Sequence, residues 1–202
     1  MRYYYVQALF LIGTTLVVFW PVCNHEFVLW DDQLNVYENP FLDPVTASNL
    51  YHLWKEPHEN LYIPLTYSIW AGIVHVTQRP AMEKTEAPFN SSLFHVMNLI
   101  LHILGTLVVF AILKILFTND WASCCGAMLF ALHPLQVEPV AWVTGMKDVL
   151  CGLLSLVALW QYSKYVQGRA TAYGLEQEPM LSLPPWPLCW LCLPSLQQSL
   201  SQ

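Results

Sequence analysis

The sequence predicts an all-α membrane protein, a polytopic helix bundle with amphipathic helices at the membrane surface. The chain of 202 residues is 55% hydrophobic and only 11% charged, whereas soluble domains carry roughly 25% charged residues. Its mean hydropathy is +0.41. Several apolar runs approach or exceed the roughly 20 residues that a helix needs to cross a bilayer.

Charge and cysteine spacing exclude two other classes of protein. The formal net charge of -6 arises from 14 acidic and 8 basic residues, so no basic surface is available to hold nucleic acid. The six cysteines lack the paired spacing of a zinc site or a disulfide framework. Cys189 and Cys192 have CxxC spacing, but they lie in a proline-rich stretch without a second pair. We therefore expect no metal site and no cofactor.

Four apolar segments are predicted to cross the membrane, at residues 5–22, 93–117, 121–134 and 148–166. The first lacks a small-x-small cleavage pattern near Cys23, so we expect an uncleaved anchor. The second is the longest and reaches about 38 Å as a helix. The third is short, and it can cross only if its helix continues toward His133 or the bilayer thins locally.

The segment 62–78 is ambiguous. Its 17 residues are at the lower limit for crossing a bilayer. It either crosses or lies at the interface on the side of the first loop. The distribution of basic residues does not decide between these topologies, because both place four of the 8 basic residues on each side.

Two further segments have their own predicted character. In residues 46–54, Thr46 or Ser48 can cap a helix whose apolar side chains share one side, which predicts a short amphipathic helix at the interface. Residues 167–202 are rich in proline and lack a helical period, which predicts a disordered tail. A tail without a folded domain indicates a fragment or an altered reading frame.

The connection at residues 133–148 carries His133, Glu138, Lys147 and Asp148 among apolar neighbours. One explanation is a solvated connector. The alternative is a site for proton transfer or phosphate binding at a membrane face. The apolarity of the connection indicates that it folds back against protein or membrane.

Polar side chains at two other places can likewise be structural or functional. Asp31 and Asp32 follow the first crossing, where they are either a polar helix exit or carboxylates that take a proton from a hydroxyl. His95, Asn98 and His102 share one face of the helix in 93–117. Interhelical hydrogen bonding is the favoured explanation for this face, and a proton relay is the alternative. We predict that the face points into the bundle.

Four motifs together resemble a family of membrane proteins. They are YIPLT at 62–66, FHVMNLILH at 94–102, LFALHP at 129–134, and EPVAWV with KDVL at 138–143 and 147–150. Over about residues 5–166 the pattern resembles bacterial multi-spanning proteins with tetratricopeptide repeats. Those proteins are similar to the transmembrane and tetratricopeptide repeat-containing O-mannosyltransferases, and more distantly to protein mannosyltransferases and lipid A aminoarabinose transferases.

The resemblance implies a GT-C type glycosyltransferase, which moves a sugar from a polyprenyl-phosphate donor to a protein or glycan acceptor on the external or luminal side. It implies the following catalytic residues, all expected on the external face: Asp31, Asp32, Glu138 and Asp148. Lys147 or Arg79 is expected to bind the donor phosphate. Because the two acidic segments must then share a face, this favours the topology in which 62–78 does not cross and stays on the external side, with the first loop.

The resemblance also sets expectations for the whole protein. Family members continue into further crossings and a repeat domain, so we expect an N-terminal fragment that is inactive by itself. The expected location is the bacterial inner membrane, or the endoplasmic reticulum membrane in a eukaryote, with membrane lipids as further partners. A non-catalytic membrane scaffold or assembly protein is the alternative function. The family usually has a charged residue where Gly145 and Met146 stand.

Overall fold

The computed structural model describes residues 2–28, 31–77, 89–117 and 119–172, which form helices and turns. The α-helices are α1 Arg2–Phe19, α2 Ala47–Lys55, α3 Pro64–Thr77, α4 Ser91–Leu116, α5 Asp120–Ala131, α6 Val137–Ala141 and α7 Met146–Ala172. Shorter 3-10 turns cover Trp20–Asn24 and Pro134–Gln136, and a π-helical turn covers Gln33–Tyr37. These ranges contain no β-strand, so the predicted all-α fold class is confirmed.

Three helical segments are long and apolar enough to cross a membrane: Tyr4–Asn24, Ser91–Leu116 and Met146–Arg169. They coincide with the predicted crossings at 5–22, 93–117 and 148–166. By contrast, α5 has only 12 residues and rises about 18 Å, less than a hydrocarbon core of roughly 30 Å. A crossing at 121–134 remains a prediction, and so does the choice between a crossing and an interfacial position for 62–78.

The predicted tail is only partly within the described residues. Helix α7 continues to Ala172, so the first residues of the segment 167–202 are helical rather than irregular. Its extension is physically reasonable because no proline interrupts the chain before Pro179. The prediction of disorder for the rest of the tail falls on residues 173–202, which lie outside the described residues.

Helix α4 is the central element, since it contacts α1, α5, α6 and α7. It begins after Asn90, whose side chain accepts a hydrogen bond from the Ser92 N–H at 3.0 Å and so caps the helix. Further along, Leu11 of α1, Phe110 of α4 and Ala127 of α5 are fully buried in one cluster. The small alanine lets these three helices approach closely.

A short polar connection lies between α4 and α5. The Asn119 side chain accepts hydrogen bonds from the N–H groups of Trp121 and Ala122 at 2.9 and 3.3 Å, and so caps α5. An ion pair between Lys114 and Asp120 links the end of one helix to the start of the next. The chain therefore reverses direction here, and α5 packs back along α4.

Residues 31–77, here called the outer segment, pack against the first turns of α4 and α7. Thr46 caps α2 by accepting a hydrogen bond from the Asn49 N–H at 3.1 Å, which confirms one of the two predicted caps. The shared core includes Leu53 of α2, Trp70 of α3 and Phe94 of α4. The outer segment therefore covers one end of the bundle, the end that carries the predicted site residues.

Candidate active site

Asp32 joins two distant parts of the chain at the covered end of the bundle. Its side chain is fully buried, at 0% exposure. One carboxylate oxygen accepts hydrogen bonds from the Thr144 N–H, at 2.9 Å, and from the Thr144 hydroxyl. The other accepts from the Val28 N–H at 3.0 Å. Because a buried carboxylate is stable only when donors surround it, these bonds hold Thr144 close to Val28, in the segment that follows α1.

Thr144 belongs to a turn at residues 139–145, and Asn98 of α4 also contacts this turn. Its buried Nδ2 donates to the Trp142 carbonyl at 2.7 Å, with the carbonyl oxygens of Val140 and Pro139 at 3.4 and 3.5 Å. Gly145 completes the turn, because a Cβ at this position would stand 2.5 Å from the Pro139 carbonyl oxygen. The charged residue of the family pattern therefore cannot occupy this backbone position without displacing the turn.

The two histidines on the predicted polar face are buried, at 1% exposure for His95 and 3% for His102. The His102 Nε2 lies 2.9 Å from the Ala131 carbonyl oxygen, so it carries the proton and ties α4 to the end of α5. The His95 ring lies near the backbone of His25 without a well-formed hydrogen bond in the described part of the chain. The polar face therefore serves mainly to hold helix ends together.

The remaining predicted acidic residues are accessible at the same end of the bundle. Glu138 is exposed and Asp31 is partly buried. The Asp148 side chain is 55% exposed, and its Oδ2 lies 3.7 Å from Lys147 Nζ. In the described ranges, no hydrogen bond or ion pair connects these three carboxylates to one another. Arg79, the other predicted phosphate ligand, lies outside the described residues.

A π-helical turn follows Asp32 and holds the acidic pair in place. The Asn35 amide donates to the Asp31 carbonyl at 3.0 Å, and the Tyr67 hydroxyl donates to Asn35 Oδ1 at 3.2 Å. Burial raises the pKa of the Tyr37 phenol, and the negative charges of Glu38 and Asp32 raise it further. The phenol therefore stays neutral near neutral pH.

A cleft of about 330 Å³ opens beside this end, between α4, α5, α6 and α7. We call it the α4–α7 cleft. Its polar side chains are those of His102, Gln136, Asp148 and Ser155, and its other lining is mostly apolar. The partly exposed Asp148 carboxylate therefore lies at the edge of this cleft.

The geometry separates the predicted catalytic residues into two groups. Asp32 already accepts three hydrogen bonds and is closed to solvent, so its carboxylate holds the chain in position, and a catalytic role for it remains a prediction. Asp31, Glu138 and Asp148 keep accessible carboxylates that can take a proton. Sequence reasoning missed Thr144. One signal was available in the sequence: Thr144 lies between the apolar Val143 and Gly145. A hydroxyl that is buried among such neighbours needs a hydrogen-bond partner.

Replacing Asn98 by leucine tests the role of this side chain in holding the turn. The substitution leaves the carbonyl groups of Pro139, Val140 and Trp142 without their donor, so we expect a loss of stability of about 1–3 kcal/mol. Insertion should not change, because leucine is more apolar. Thermal unfolding in detergent and alkaline extraction of membranes measure the two effects. Unchanged unfolding would contradict the assigned contact.

Fold and site together define the class: an all-α membrane protein in which polar and acidic residues gather at one end of a helix bundle. Within this class the chain is similar to protein O-mannosyl-transferases. Protein O-mannosyl-transferase TMTC1 of Homo sapiens is 42% identical over 76 residues, 37% of this chain and 9% of that protein. Protein O-mannosyl-transferase TMTC3 of Homo sapiens is 30% identical over 163 residues, 76% of this chain and 16% of that protein.

A relative from an insect has a similar identity and also matches only part of its length. Protein O-mannosyl-transferase Tmtc2 of Drosophila melanogaster is 32% identical over 126 residues, 62% of this chain and 12% of that protein. The chain thus spans between about a tenth and a sixth of the length of these relatives. No family model and no solved structure matches the sequence. The relatives support the resemblance to O-mannosyltransferases, but not a bacterial origin or tetratricopeptide repeats.

Proposed function

We propose that this chain contributes acidic active-site residues to a membrane glycosyltransferase. The enzyme would move a sugar from a polyprenyl-phosphate donor to a protein or glycan acceptor on the external or luminal face. One observation carries the proposal: the hydrogen bonds from Thr144 to Asp32 join segments 112 residues apart and bring the two acidic regions to one end of the bundle. The relatives' name, protein O-mannosyl-transferase, favours mannose as the sugar.

Asp31 is our candidate for the general base. Its carboxylate would take the proton of the acceptor hydroxyl while the acceptor oxygen bonds to the sugar carbon. The bond between that carbon and the phosphate oxygen breaks in the same step, and polyprenyl phosphate leaves. Glu138 and Asp148 supply further carboxylates, and Lys147 or Arg79 would neutralise the leaving phosphate. Asp32 acts through the turn that it holds.

The organisms of the relatives favour one of the two expected membranes for this reaction. The relatives described above are animal proteins, which favours the endoplasmic reticulum membrane over a bacterial inner membrane. The acceptor and the sugar would then meet on its luminal side. Membrane lipids surround the three long apolar helices and are partners in either location.

A non-catalytic scaffold is the second candidate, and one observation favours it. Three donors account fully for the Asp32 carboxylate, so its burial has a structural explanation that needs no chemistry. In a scaffold, Asp31 and Glu138 would be ordinary charges on an exposed surface. The two candidates therefore differ in what the accessible carboxylates do.

Sugar transfer measured with polyprenyl-phosphate mannose and a peptide acceptor distinguishes the two functions. We expect no transfer by the 202-residue chain alone, so the substitutions are also made at the aligned positions of a full-length relative. Changing the position of Asp31 to Asn should lower transfer about 100-fold or more, because general-base catalysis contributes 10²–10⁴-fold. Exposed Glu56 changed to Gln is the control and should have no effect. Transfer that is unchanged in the Asp31→Asn protein would support the scaffold.

A further inference from the structure

Two buried asparagines support the π-helical turn Gln33–Tyr37. Asn35 and Asn39 are only 3% and 2% exposed. The Asn35 Nδ2 donates to the Asp31 carbonyl, and the Asn39 Nδ2 donates to the Asn35 carbonyl, each at 3.0 Å. Turns of this kind are rare and are often found at functional sites. Because these side chains bond carbonyl groups before and within the turn, they fix the path of the chain just after Asp31.

Two side chains from later in the outer segment also contact this turn. Tyr67 of α3 is fully buried, and its hydroxyl donates to Asn35 Oδ1 at 3.2 Å. This bond orients the Asn35 amide, since its NH2 group then faces the Asp31 carbonyl. The His58 Nε2 lies 3.4 Å from the Leu34 carbonyl oxygen and donates to it in the tautomer that carries a proton there. The position of the backbone at Asp31 therefore depends on α3.

Asp31 and Asp32 point in different directions. Successive residues of a helix are rotated by about 100°, so adjacent aspartates cannot face the same way. Asp32 is buried and bonded to Val28 and Thr144. Asp31 is only partly buried, and among the described residues no donor bonds its carboxylate. The accessible carboxylate of Asp31 is thus placed by the backbone alone, which Asp32 holds on one side and Asn35 on the other.

We propose that Asn35 and Tyr67 are positioning residues that aim the Asp31 carboxylate at the hydroxyl group of the acceptor. This role rests on the proposed function, in which Asp31 is the general base. Neither side chain would touch the substrate, since both are buried. Their effect on the reaction is geometric, because a displacement of about 1 Å between reacting groups can lower a rate roughly 100-fold.

A double-mutant cycle tests whether the two side chains act through Asp31. Tyr67→Phe removes the hydroxyl that orients Asn35, and the cycle is made in a full-length relative that has the same residues at the aligned positions. With Asp31 present, we expect kcat for sugar transfer to fall about tenfold or more at unchanged KM. In the Asp31→Asn background, Tyr67→Phe should cause no further loss, because no general base is left to position.

Tyr62→Phe is the matched control for this cycle. The Tyr62 hydroxyl donates to the Trp54 carbonyl at 2.8 Å, so the substitution removes the same group in the same segment without involving Asn35. It should leave kcat unchanged in both backgrounds. A loss from Tyr67→Phe that is equal with and without Asp31 would show a purely structural role and overturn the inference. An unchanged kcat in the presence of Asp31 would overturn it too.

The positioning role and the proposed function fail in different ways. If Asp31→Asn alone leaves sugar transfer unchanged, Asp31 is not the base, and both proposals are wrong. If Asp31→Asn lowers transfer while Tyr67→Phe does not, only the positioning role is wrong.

Hydrogen exchange in the 202-residue chain measures the geometric part of the inference without an activity assay. Tyr67→Phe should speed exchange of the amides of residues 33–38 about fivefold or more, because the turn loses one of its hydrogen bonds. Tyr62→Phe should leave this exchange unchanged. Asn35→Ala removes the donor itself and should have a larger effect on the same amides. Equal exchange in the Tyr67→Phe and unmodified chains would show that the hydroxyl does not hold the turn.

Discussion

Replacing Asp32 by alanine is expected to destabilise the protein by about 3 kcal/mol or more, because hydrogen bonds to a charged group contribute about 1.5–3 kcal/mol each. The substitution would strand the N–H groups of Val28 and Thr144 and the Thr144 hydroxyl in a site closed to solvent. Thermal unfolding followed by circular dichroism in detergent measures the loss. Limited proteolysis should also show earlier cleavage near the turn 139–145.

The adjacent aspartate provides the control for this substitution. Asp31 is only partly buried, and in the described part of the chain its carboxylate accepts no hydrogen bond. Asp31→Ala should therefore change stability by less than about 0.5 kcal/mol. If the two alanine variants unfold at the same temperature, the buried role of Asp32 is wrong. If Asp32→Ala is stable but inactive in a full-length relative, Asp32 would belong among the catalytic residues.

The substitution Gly145→Ala is also expected to lower the stability of the protein strongly. The added Cβ would stand 2.5 Å from the Pro139 carbonyl oxygen and 2.9 Å from the Pro139 Cα. Both are backbone atoms, so no side-chain rotation relieves the clash, and the turn 139–145 must move. We expect a loss of about 1–3 kcal/mol, together with weaker contacts from Asn98 and Asp32 to the turn. Thermal unfolding measures the first effect and hydrogen exchange at Thr144 the second.

Gly152→Ala is the matched comparison, since the same atom is added where nothing lies within 4 Å. Alanine in a helix interior is favoured over glycine by roughly 0.5–1 kcal/mol, so this variant should be slightly more stable than the parent. Opposite signs for the two glycine substitutions are the expected result. A stable Gly145→Ala protein with protected Thr144 would show that the turn tolerates a side chain.

Sequence reasoning succeeded where the physics is local. The long apolar run that became α4 is visible in the sequence because a helix of 26 residues needs continuous hydrophobicity to lie in a membrane. The cap at Thr46 was also recognisable, since capping depends on residues three positions apart or fewer. The burial of Asn98 has the same basis, because an amide in an apolar helix needs a partner.

The rest of the site depends on the path of the chain. Nothing in the sequence pairs Asp32 with Thr144, because the two residues are 112 positions apart and meet only through the packing of the helices between them. The partners of Asn98 are main-chain carbonyls, which every residue carries and no pattern distinguishes. Gly145 was visible only as a departure from a charged family position, and its reason is a close approach to the Pro139 backbone.

The separation between Asp32 and Thr144 has a consequence for biosynthesis. Thr144 leaves the ribosome 112 residues after Asp32, a delay of roughly 6–20 s at ordinary rates of translation. Throughout that interval the carboxylate must stay hydrated, and the outer segment cannot close. The covered end of the bundle therefore cannot assemble before Thr144 has been made, and a chain that stalls before Thr144 leaves the Asp32 carboxylate without two of its three donors.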